Sequence, residues 1–476
     1  MKYTLLFCLA LALSYSASAQ VPTPTPLLYS DSTIAAMSRI QQAALQSDYA
    51  YNRAGYMANN IGPRLSGSSQ AARSVEYVAA EMRKLGLDVR LQKCMVPHWV
   101  RGEEHGELIE FEGMAAGTVQ KVVLTALGGS IATPNEGMTG EIVVVANFDE
   151  LNALGRKGVE GKIVLFNNKF DREMQASGFG GAAYGQAVQY RFAGAMAAAR
   201  LGAIAVLVRS AGGSQNRLAH TGSMGYADGV TKIPGAAVSF EDAETIAWLA
   251  KAGKVRIKLT LTPQTLPDVE SYNVIADLKG SEKPDEIVIV SGHLDSWDLG
   301  TGAIDDASGV AMAMGVPAIL KQLKIRPKRT IRFIAWMNEE NGGRGSAAYF
   351  DAEKNNVANH FAAIEADLGA SHPLGFQFAG KPEALPFFAP ISKVLLTQGA
   401  GQTQVQGGGV GADTAPLTRV GVPSFAPWFN QQTYFNYHHT AADTFDKIDP
   451  REMAENASLV AVLAYGLANL EQPIPR

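Results

Sequence analysis

The sequence predicts an α/β fold with a mostly parallel central sheet flanked by helices, into which a β-rich domain is inserted. Strand-like and helix-like runs alternate from EIVIV at 286–290 onward, which is typical of a parallel sheet covered on both faces. Between about 133 and 263 the chain changes to short β-rich runs, which predicts the insert. With 476 residues, 47% hydrophobic and 18% charged, the chain is long enough for a substantial core and more than one domain.

The N-terminus has the three regions of a secretory signal peptide. Lys2 precedes an apolar run at 5–13, and Ala-Ser-Ala at 17–19 provides small residues for cleavage. The apolar run is much shorter than the roughly 20 residues that span a bilayer, so we expect export to the periplasm or the exterior and no membrane span. The Pro-rich segment 20–30 is predicted to be an extended or mobile linker.

The charge argues against a nucleic-acid-binding protein, and the cysteine content argues against a protein stabilised by disulfides. The net charge of −4 and the pI near 6.1 provide no basic face for nucleic acid. Cys8 lies in the predicted signal peptide, so the mature chain would keep Cys94 alone and form no internal disulfide. Lipid attachment at Cys8 is an alternative use of the N-terminus.

The first folded elements are two helices and a strand. A helical pattern begins at Asp31. A second helix at 69–85 has a capping sequence before it and Gly86 after it, and it places four apolar residues on one face: Val75, Val78, Ala79 and Met82. The following LDVRLQKCMVP at 87–97 is predicted to be a strand.

The predicted insert, 133–263, contains its own strands and helix. The strands are EIVVVA, GKIVLF, AIAVLVRS and GAAVSF, and the Ala-rich helix AVQYRFAGAMAAARLG ends at a Gly. Inserts are tolerated where their own termini lie close together, so 31–132 and 264–476 would form one catalytic domain around it. Alternatively, these strands continue the main sheet, which their spacing does not exclude.

In the C-terminal half, each predicted strand is followed by polar residues. EIVIV precedes a helix at about 307–323, TIRFIAWM at 330–337 precedes a helix at 346–354, and AAIEADLGA at 362–370 comes next. Side chains at the carboxyl ends of such strands converge on one edge of the sheet. The candidates at these ends and near the C-terminus are His293, Asp295, Asp305, Asp306, Glu339, Glu340, Asp367, His438 and His439.

Taken singly, each candidate has an ordinary explanation as a turn, cap or solvated residue. Together, several carboxylates at one edge repel each other and raise each other's pKa unless a cation neutralises them. Imidazoles mixed with carboxylates suit zinc better than calcium or magnesium, and the number of groups suffices for two ions that share one carboxylate. Hydrolases use such ion pairs, about 3.5–4 Å apart, to activate water.

Five ordered motifs carry a family resemblance over nearly the whole mature chain: IGPRLSGS, HLDSWDLGTGAIDDASG, WMNEE, EADLG and HHTAADT. They resemble the motifs of co-catalytic zinc exopeptidases of the aminopeptidase and glutamate carboxypeptidase type. Within the insert, GVEGKIVLF and AARLGAIAVLV resemble that family's protease-associated domain. The resemblance implies a metallo-exopeptidase with two zinc ions per chain that acts on dipeptides or short peptides, and a homodimer is consistent with it.

Carried over by position, the resemblance implies the metal ligands and the base. One zinc is held by His293 and Asp367, the other by Glu340 and His439, with Asp305 as the bridge. Glu339 is then the general base, taking a proton from the attacking water and delivering it to the leaving amine. Zinc lowers the pKa of bound water to about 7.

Neighbouring residues receive supporting roles from the same resemblance. Asp295 is expected to accept the other ring N–H of His293. Asp306 and His438 are interpreted as supporting residues rather than ligands, and the peptide bond after the bridging Asp305 is cis in the family. Two further motif residues, Asp443 and Asp413, are assigned to orienting His439 and to lining the cleft. The other histidines are attributed to surface or packing: His98, His105, His220, His360 and His372.

Other functions stay open at this point. A binding protein on the same fold with a decayed metal site would have lost ligands, whereas every motif position keeps one. A glutaminyl cyclase-like acyltransferase resembles the catalytic domain, but the insert argues against it. Which peptide end is trimmed depends on the cleft, because a free amine requires an acidic partner and a free carboxylate requires Arg or Lys. The sequence does not place Arg344, Arg419 or Asp413 in that cleft.

Overall fold

The computed structural model describes residues 28–476, which form two eight-stranded sheets with their flanking helices. The predicted signal peptide at 1–19, Cys8 and most of the predicted linker lie outside the described residues. The end of that linker belongs to the fold, since Tyr29 is buried and the Ser30 hydroxyl accepts the Thr33 N–H at the start of the first helix.

The elements are numbered in chain order. The helices are α1 Asp31–Leu45, α2 Tyr49–Gly55, α3 Ser69–Lys84, α4 Phe148–Val159, α5 Arg172–Ala176, α6 Gly180–Arg200, α7 Phe240–Ala252, α8 Ser308–Gln322, α9 Arg344–Glu353, α10 Leu385–Leu395, α11 Ala415–Arg419, α12 Tyr434–Tyr437 and α13 Pro450–Asn469. The strands are β1 Asp88–Val100, β2 Glu104–Glu110, β3 Gln120–Val122, β4 Leu124–Ala126, β5 Met138–Val145, β6 Ile163–Phe166, β7 Ala205–Arg209, β8 Gly235–Val238, β9 Arg256–Leu261, β10 Gln264–Leu278, β11 Lys283–His293, β12 Arg329–Trp336, β13 His360–Glu365, β14 Pro373–Ala379, β15 Gln402–Val405 and β16 Ser424–Phe429.

The main sheet confirms the predicted α/β class. Its strand order is β1-β10-β12-β11-β13-β16-β14-β15, and the central strands β12, β11, β13 and β16 are parallel to one another. Antiparallel pairs occur towards both edges. Along β11, Val288 and Val290 pack in the core with α8 and α13, whereas Ile287 and Ile289 face α9 and α11. Because both faces are covered, β11 is an unbroken apolar run.

The predicted helices are present with small shifts at their ends. The Ser68 side chain caps α3 by accepting the Ala71 N–H, as the capping sequence predicts. The predicted helix at 307–323 is α8. With the turn before it, Ala303–Gln322 is the one helical segment within 28–476 that is long and apolar enough to cross a membrane. Since 94% of its apolar window is buried, it serves as a core helix.

The second sheet has the order β3-β2-β9-β5-β6-β7-β8-β4 and holds all the strands from β2 to β9. These strands do not continue the main sheet, as the alternative interpretation would require. The predicted boundary at 133 falls inside this sheet, because β2 pairs with β9 and β4 pairs with β8. We call Glu104–Leu261 the second unit.

The SWD run after His293 joins the main sheet to the second unit. A Cβ at Gly128 would lie 1.9 Å from the Trp297 ring, so only glycine permits this approach. Arg101 donates from Nε to both carboxylate oxygens of Asp298 at 3.0 and 2.9 Å. The loop that follows β11 is therefore held between the two units.

Candidate metal centre

The adjacent parallel strands β12, β11 and β13 place the predicted acidic residues at one edge of the main sheet. His293 is the last residue of β11, Glu339 and Glu340 follow β12, and Asp367 follows β13. Asp305 lies in the turn that leads into α8. The carboxyl ends of parallel strands meet at one edge, which explains why residues far apart in sequence converge here.

Asp305 lies between two groups of candidate ligands. Its Oδ1 is 3.0 Å from His293 Nε2, and its Oδ2 is 3.2 Å from His439 Nε2. His293 Nε2 also lies 3.4 Å from Asp367 Oδ1, and His439 Nε2 lies 3.0 Å from Glu340 Oε2. The structure thus brings together all five predicted ligands, with Asp305 shared between the two groups.

The donor atoms of this cluster fit metal cations. Asp305 Oδ2 and Glu340 Oε1 are buried without a hydrogen-bond partner, a state that costs free energy unless a cation satisfies it. Burial, and then the charge of Asp305, raise the pKa of Glu340 to about 7. Burial also raises the pKa of Asp367, with His293 opposing it. Packed carboxylates of this kind are stabilised when a cation neutralises them.

Asp295 occupies a different position from the predicted one. His293 Nδ1 lies 3.0 Å from the backbone oxygen of Asp295 and 3.9 Å from its carboxylate. The carboxylate instead accepts the backbone N–H groups of Asn338 at 2.7 Å and Glu339 at 3.0 Å, and the Ser66 hydroxyl at 2.8 Å. The expectation that this carboxylate binds the His293 ring is therefore wrong, because the loop after β12 provides better-placed donors. The Asp295 carboxylate therefore holds the backbone of Glu339.

Glu339 is partly exposed to a cavity that four of the five candidate ligands also line. Burial, opposed by His293 and reinforced by Asp367, raises the pKa of its carboxyl well above the ordinary value. A raised pKa brings a carboxylate closer to the range in which it exchanges protons near neutral pH. Its position suits a proton acceptor beside the ligand cluster.

The two supporting carboxylates hold the turn that carries Asp305. Asp306 accepts the backbone N–H groups of His293 and Gly309, both at 2.9 Å, and the Asp305–Asp306 peptide bond is cis, as the resemblance implies. Asp443 accepts the backbone N–H groups that precede Asp305, at 2.8 Å each. Asp443 was expected to orient His439, but its carboxylate orients the turn of Asp305 instead.

His439 is positioned by the second unit. Its ring Nδ1 lies 3.2 Å from the Thr221 carbonyl oxygen, and its own carbonyl accepts the Thr221 N–H at 2.9 Å. With Nδ1 directed at a carbonyl, Nε2 is left as the lone-pair nitrogen that faces Asp305 and Glu340. Sequence reasoning missed Thr221, because no local motif reveals a contact across 218 positions.

His438 and His220 form a second histidine contact beside the ligands. His438 Nδ1 lies 3.1 Å from His220 Nε2, and its ring stacks on His439 with centroids 3.7 Å apart. Burial, with the neighbouring His439 adding to it, lowers the pKa of both His220 and His438 well below the ordinary value. His220 was attributed to surface or packing. It is buried, and no motif in the sequence placed it at this site.

The ligand cluster borders a cavity of about 370 Å³, within the range of small-ligand sites. Its walls include both units, with Tyr184 and Arg191 from α6 opposite Phe435. Asp413, assigned to lining the cleft, instead holds Glu365 through its backbone N–H at 3.0 Å. Arg419 lines a different cavity.

Comparisons with known proteins agree with this geometry. Residues 273–464 match the model of peptidase family M28. Carboxypeptidase Q of Bos taurus is 38% identical over 428 residues, covering 90% of this chain and 86% of that protein. The crystal structure of a peptidase M28 precursor from Shewanella amazonensis SB2B has a TM-score of 0.87 at 35% identity, covering 94% of this chain and 99% of that one. A zinc aminopeptidase from Bacillus subtilis shares the fold, with a TM-score of 0.63 at 22% identity, covering 90% of this chain and 98% of that one.

Fold and site together define a metallo-exopeptidase. The chain belongs to peptidase family M28. Within that family, SWD at 296–298 after His293 indicates a resemblance to carboxypeptidase Q, and the comparison with the bovine protein confirms it.

Proposed function

We propose that this chain is a secreted zinc exopeptidase that hydrolyses dipeptides or short peptides, with two zinc ions and Glu339 as general base. The observation that carries the proposal is the position of Asp305, whose two oxygens face His293 and His439 separately. Similarity to carboxypeptidase Q supports peptides as substrates. Export depends on the predicted signal peptide at 1–19.

Five side chains would hold the two ions, in the arrangement that the distances suggest: His293 and Asp367 at one, Glu340 and His439 at the other, and Asp305 at both. Imidazole and carboxylate donors are a typical zinc set. When bound, the ions lower the pKa of water and polarise the scissile carbonyl.

The protein's own residues supply proton transfer and orientation. Glu339 accepts the proton of the attacking water and returns it to the leaving amine. The Asp295 carboxylate fixes the Glu339 backbone, and the Thr221 carbonyl fixes the ring of His439.

A binding protein with a decayed site fits less well, because all five ligand positions are filled and converge. We also propose that the second unit corresponds to a protease-associated domain. Because β2 pairs with β9 in the second sheet, this domain begins near Glu104 and not at 133. Its Ser223 hydroxyl donates to the Glu340 backbone oxygen at 2.8 Å, so it supports the metal centre as well.

Glu339→Gln tests the proposal. General bases contribute about 10²–10⁴ to the rate, so dipeptide hydrolysis should fall by at least about 100-fold, whereas zinc content by elemental analysis should stay near two per chain. Glu340→Gln is the matched control and should lower zinc content. If Glu339→Gln lost zinc and Glu340→Gln kept it, the two glutamates would have the opposite roles.

A further inference from the structure

The SWD run at 296–298 has no part in the proposed chemistry, yet two of its side chains reach the boundary with the second unit. Trp297 is 3% exposed and packs edge-on against the ring of the proposed ligand His439, with ring centroids 5.9 Å apart. Asp298 accepts from Arg101 Nε with both carboxylate oxygens, at 3.0 and 2.9 Å. The loop after β11 therefore contacts the boundary between the two units close to His439.

Arg101 lies on the short segment that leads from β1 of the main sheet into β2 of the second unit, and its side chain is buried. Its Nη1 donates to Glu104 Oε1 at 3.0 Å, to the Thr125 hydroxyl at 2.7 Å and to the Ala126 carbonyl at 2.6 Å. The guanidinium thus bonds the main-sheet loop through Asp298 and, at the same time, the strands β2 and β4 of the second unit.

The same guanidinium contacts Thr221, whose carbonyl orients the ring of His439. Arg101 Nη2 donates to Thr221 Oγ1 at 3.3 Å, and that hydroxyl donates to the Ala126 carbonyl at 3.1 Å. The Thr221 carbonyl oxygen lies 3.2 Å from His439 Nδ1, and the Thr221 N–H donates to the His439 carbonyl at 2.9 Å. Because the Thr221 hydroxyl is held both as acceptor and as donor, the backbone beside it stays where His439 requires its acceptor.

A purely structural role is the alternative, because many ion pairs stabilise a fold without acting on a site. The second unit contains such a pair, in which Arg217 Nη2 lies 2.8 and 3.0 Å from the two carboxylate oxygens of Asp242. That pair borders a different cavity, which is lined by none of the candidate metal ligands. Arg101 differs from Arg217 because its contacts lead through Thr221 to a proposed ligand.

The two proposed ions should depend on Arg101 to different extents. Residues that orient a metal ligand contribute about 10–100-fold to metal affinity. His439, which Thr221 orients, belongs with Glu340 to one ligand group. His293 in the other group is oriented by the backbone oxygen of Asp295, at 3.0 Å and without any contribution from the second unit. Loss of Arg101 should therefore weaken the ion at Glu340 and His439 and spare the other.

We propose that Arg101 is a positioning residue for the zinc ion held by Glu340 and His439, which it supports by tying Asp298 of the SWD run to Thr221 of the second unit. This inference rests on the proposed function, since it requires two ions at two groups of ligands. It makes tight binding of one ion depend on the contact between the two units, which gives the SWD run a role.

The test measures stepwise zinc dissociation constants of the full chain by competition with a chelator. In Arg101→Met and in Asp298→Asn, one of the two constants should rise about 10–100-fold while the other changes little. Arg217→Met is the matched control, because it removes an ion pair of the same unit, and both of its constants should equal those of the wild type.

Two backgrounds identify the ion that is affected. In Asp367→Asn, which should retain the ion at Glu340 and His439, adding Arg101→Met should raise the remaining constant. In Glu340→Gln, which should retain only the ion at the other group, adding Arg101→Met should leave the remaining constant unchanged. Because coupling between binding and docking is reciprocal, zinc should also slow hydrogen exchange of the Thr221 N–H more in the wild type than in Arg101→Met.

The inference is overturned if Arg101→Met binds both ions as the wild type does, if it weakens both equally, or if Arg217→Met weakens one of them in the same way. Should Arg101→Met fail to fold, Asp298→Asn decides, since it keeps the size of the side chain and removes only its charge. A wild type that binds a single zinc ion contradicts the proposed two-zinc function instead, while the response of that one constant to Arg101→Met still shows whether Arg101 supports the ion.

Discussion

Replacing Asp295 with alanine tests whether this carboxylate acts on Glu339 or on His293, the proposed metal ligand. The substitution removes the acceptor of the Asn338 and Glu339 N–H groups. A buried donor left unsatisfied costs about 1–3 kcal/mol, so the two together cost roughly 2–6 kcal/mol unless the loop moves. We expect the loop to move, carrying Glu339 with it.

The expected kinetic result follows from that movement. A displacement of about 1 Å at a reacting group can cost about 10²-fold, so kcat should fall about 100-fold with a smaller change in KM. Zinc content should stay near two per chain, because His293 Nδ1 bonds the backbone oxygen of Asp295, which alanine retains. The assays are steady-state hydrolysis of a dipeptide and elemental analysis of the same preparation.

Ser66→Ala is the matched control. It removes the hydroxyl that donates to Asp295 Oδ2 at 2.8 Å and accepts from Asn338 Nδ2 at 3.1 Å, but it leaves both backbone N–H groups with their acceptor. Its kcat should stay within a few-fold of the wild type, while stability falls by about 1.5–3 kcal/mol, the value of a hydrogen bond to a charged group. Loss of one zinc in Asp295→Ala would refute the reasoning, since the carboxylate would then support His293 directly.

Three further predictions concern metal binding and stability. In elemental analysis, Asp305→Asn should lower the zinc content to near zero, whereas Asp367→Asn should leave about one zinc per chain. If Asp305→Asn kept two zinc ions per chain, Asp305 would not be a ligand shared by both ions. Burial tends to raise the pKa of Asp277, but the Arg332 guanidinium outweighs burial and holds that pKa below its ordinary value of 3.8. The ion pair therefore stabilises the fold above about pH 4, and this contribution is lost as the pH falls. Arg332→Met should therefore destabilise the zinc-free protein in urea by about 3 kcal/mol near pH 7 and by less near pH 3, and a pH-independent difference would contradict the sign. Burial, with the charge of Asp295 adding to its effect, raises the pKa of the Cys94 thiol to about 12. A disulfide reagent should therefore label Cys94 quickly in urea and very slowly in the folded protein. Fast labelling of the folded protein would show that the thiol is accessible.

The predictions from sequence succeeded where local pattern and strand-end geometry agree. The apolar run before His293 and the loop after it predicted a parallel strand with a candidate ligand at its end, and the structure has that strand with His293 as its last residue. Likewise Glu339 and Glu340 lie where the end of β12 places them. Such residues are predictable because the carboxyl ends of neighbouring parallel strands are forced to one edge.

The roles of supporting residues were predicted less well. Asp295 and Asp443 are correctly near the site, but their carboxylates bind backbone N–H groups of other loops instead of histidine rings. Which donor a buried carboxylate accepts depends on backbone directions that are set only when distant loops pack together. The boundary of the second unit was misplaced for a similar reason, since β2 is assigned by its partner β9 and not by its composition.

The sequence by itself determined the α/β class and the polar residues that follow each strand, because strand periodicity and the residues after each strand are local properties. The choice of five candidate metal ligands and a base among those residues came from the resemblance of the motifs to a known family. Only the tertiary structure decided that the second unit closes the site, through Thr221 at His439 and Arg191 in the cavity. These contacts join a helix and a loop of one unit to the edge of another sheet. No local pattern encodes that meeting, because it arises from the packing of two separately formed cores.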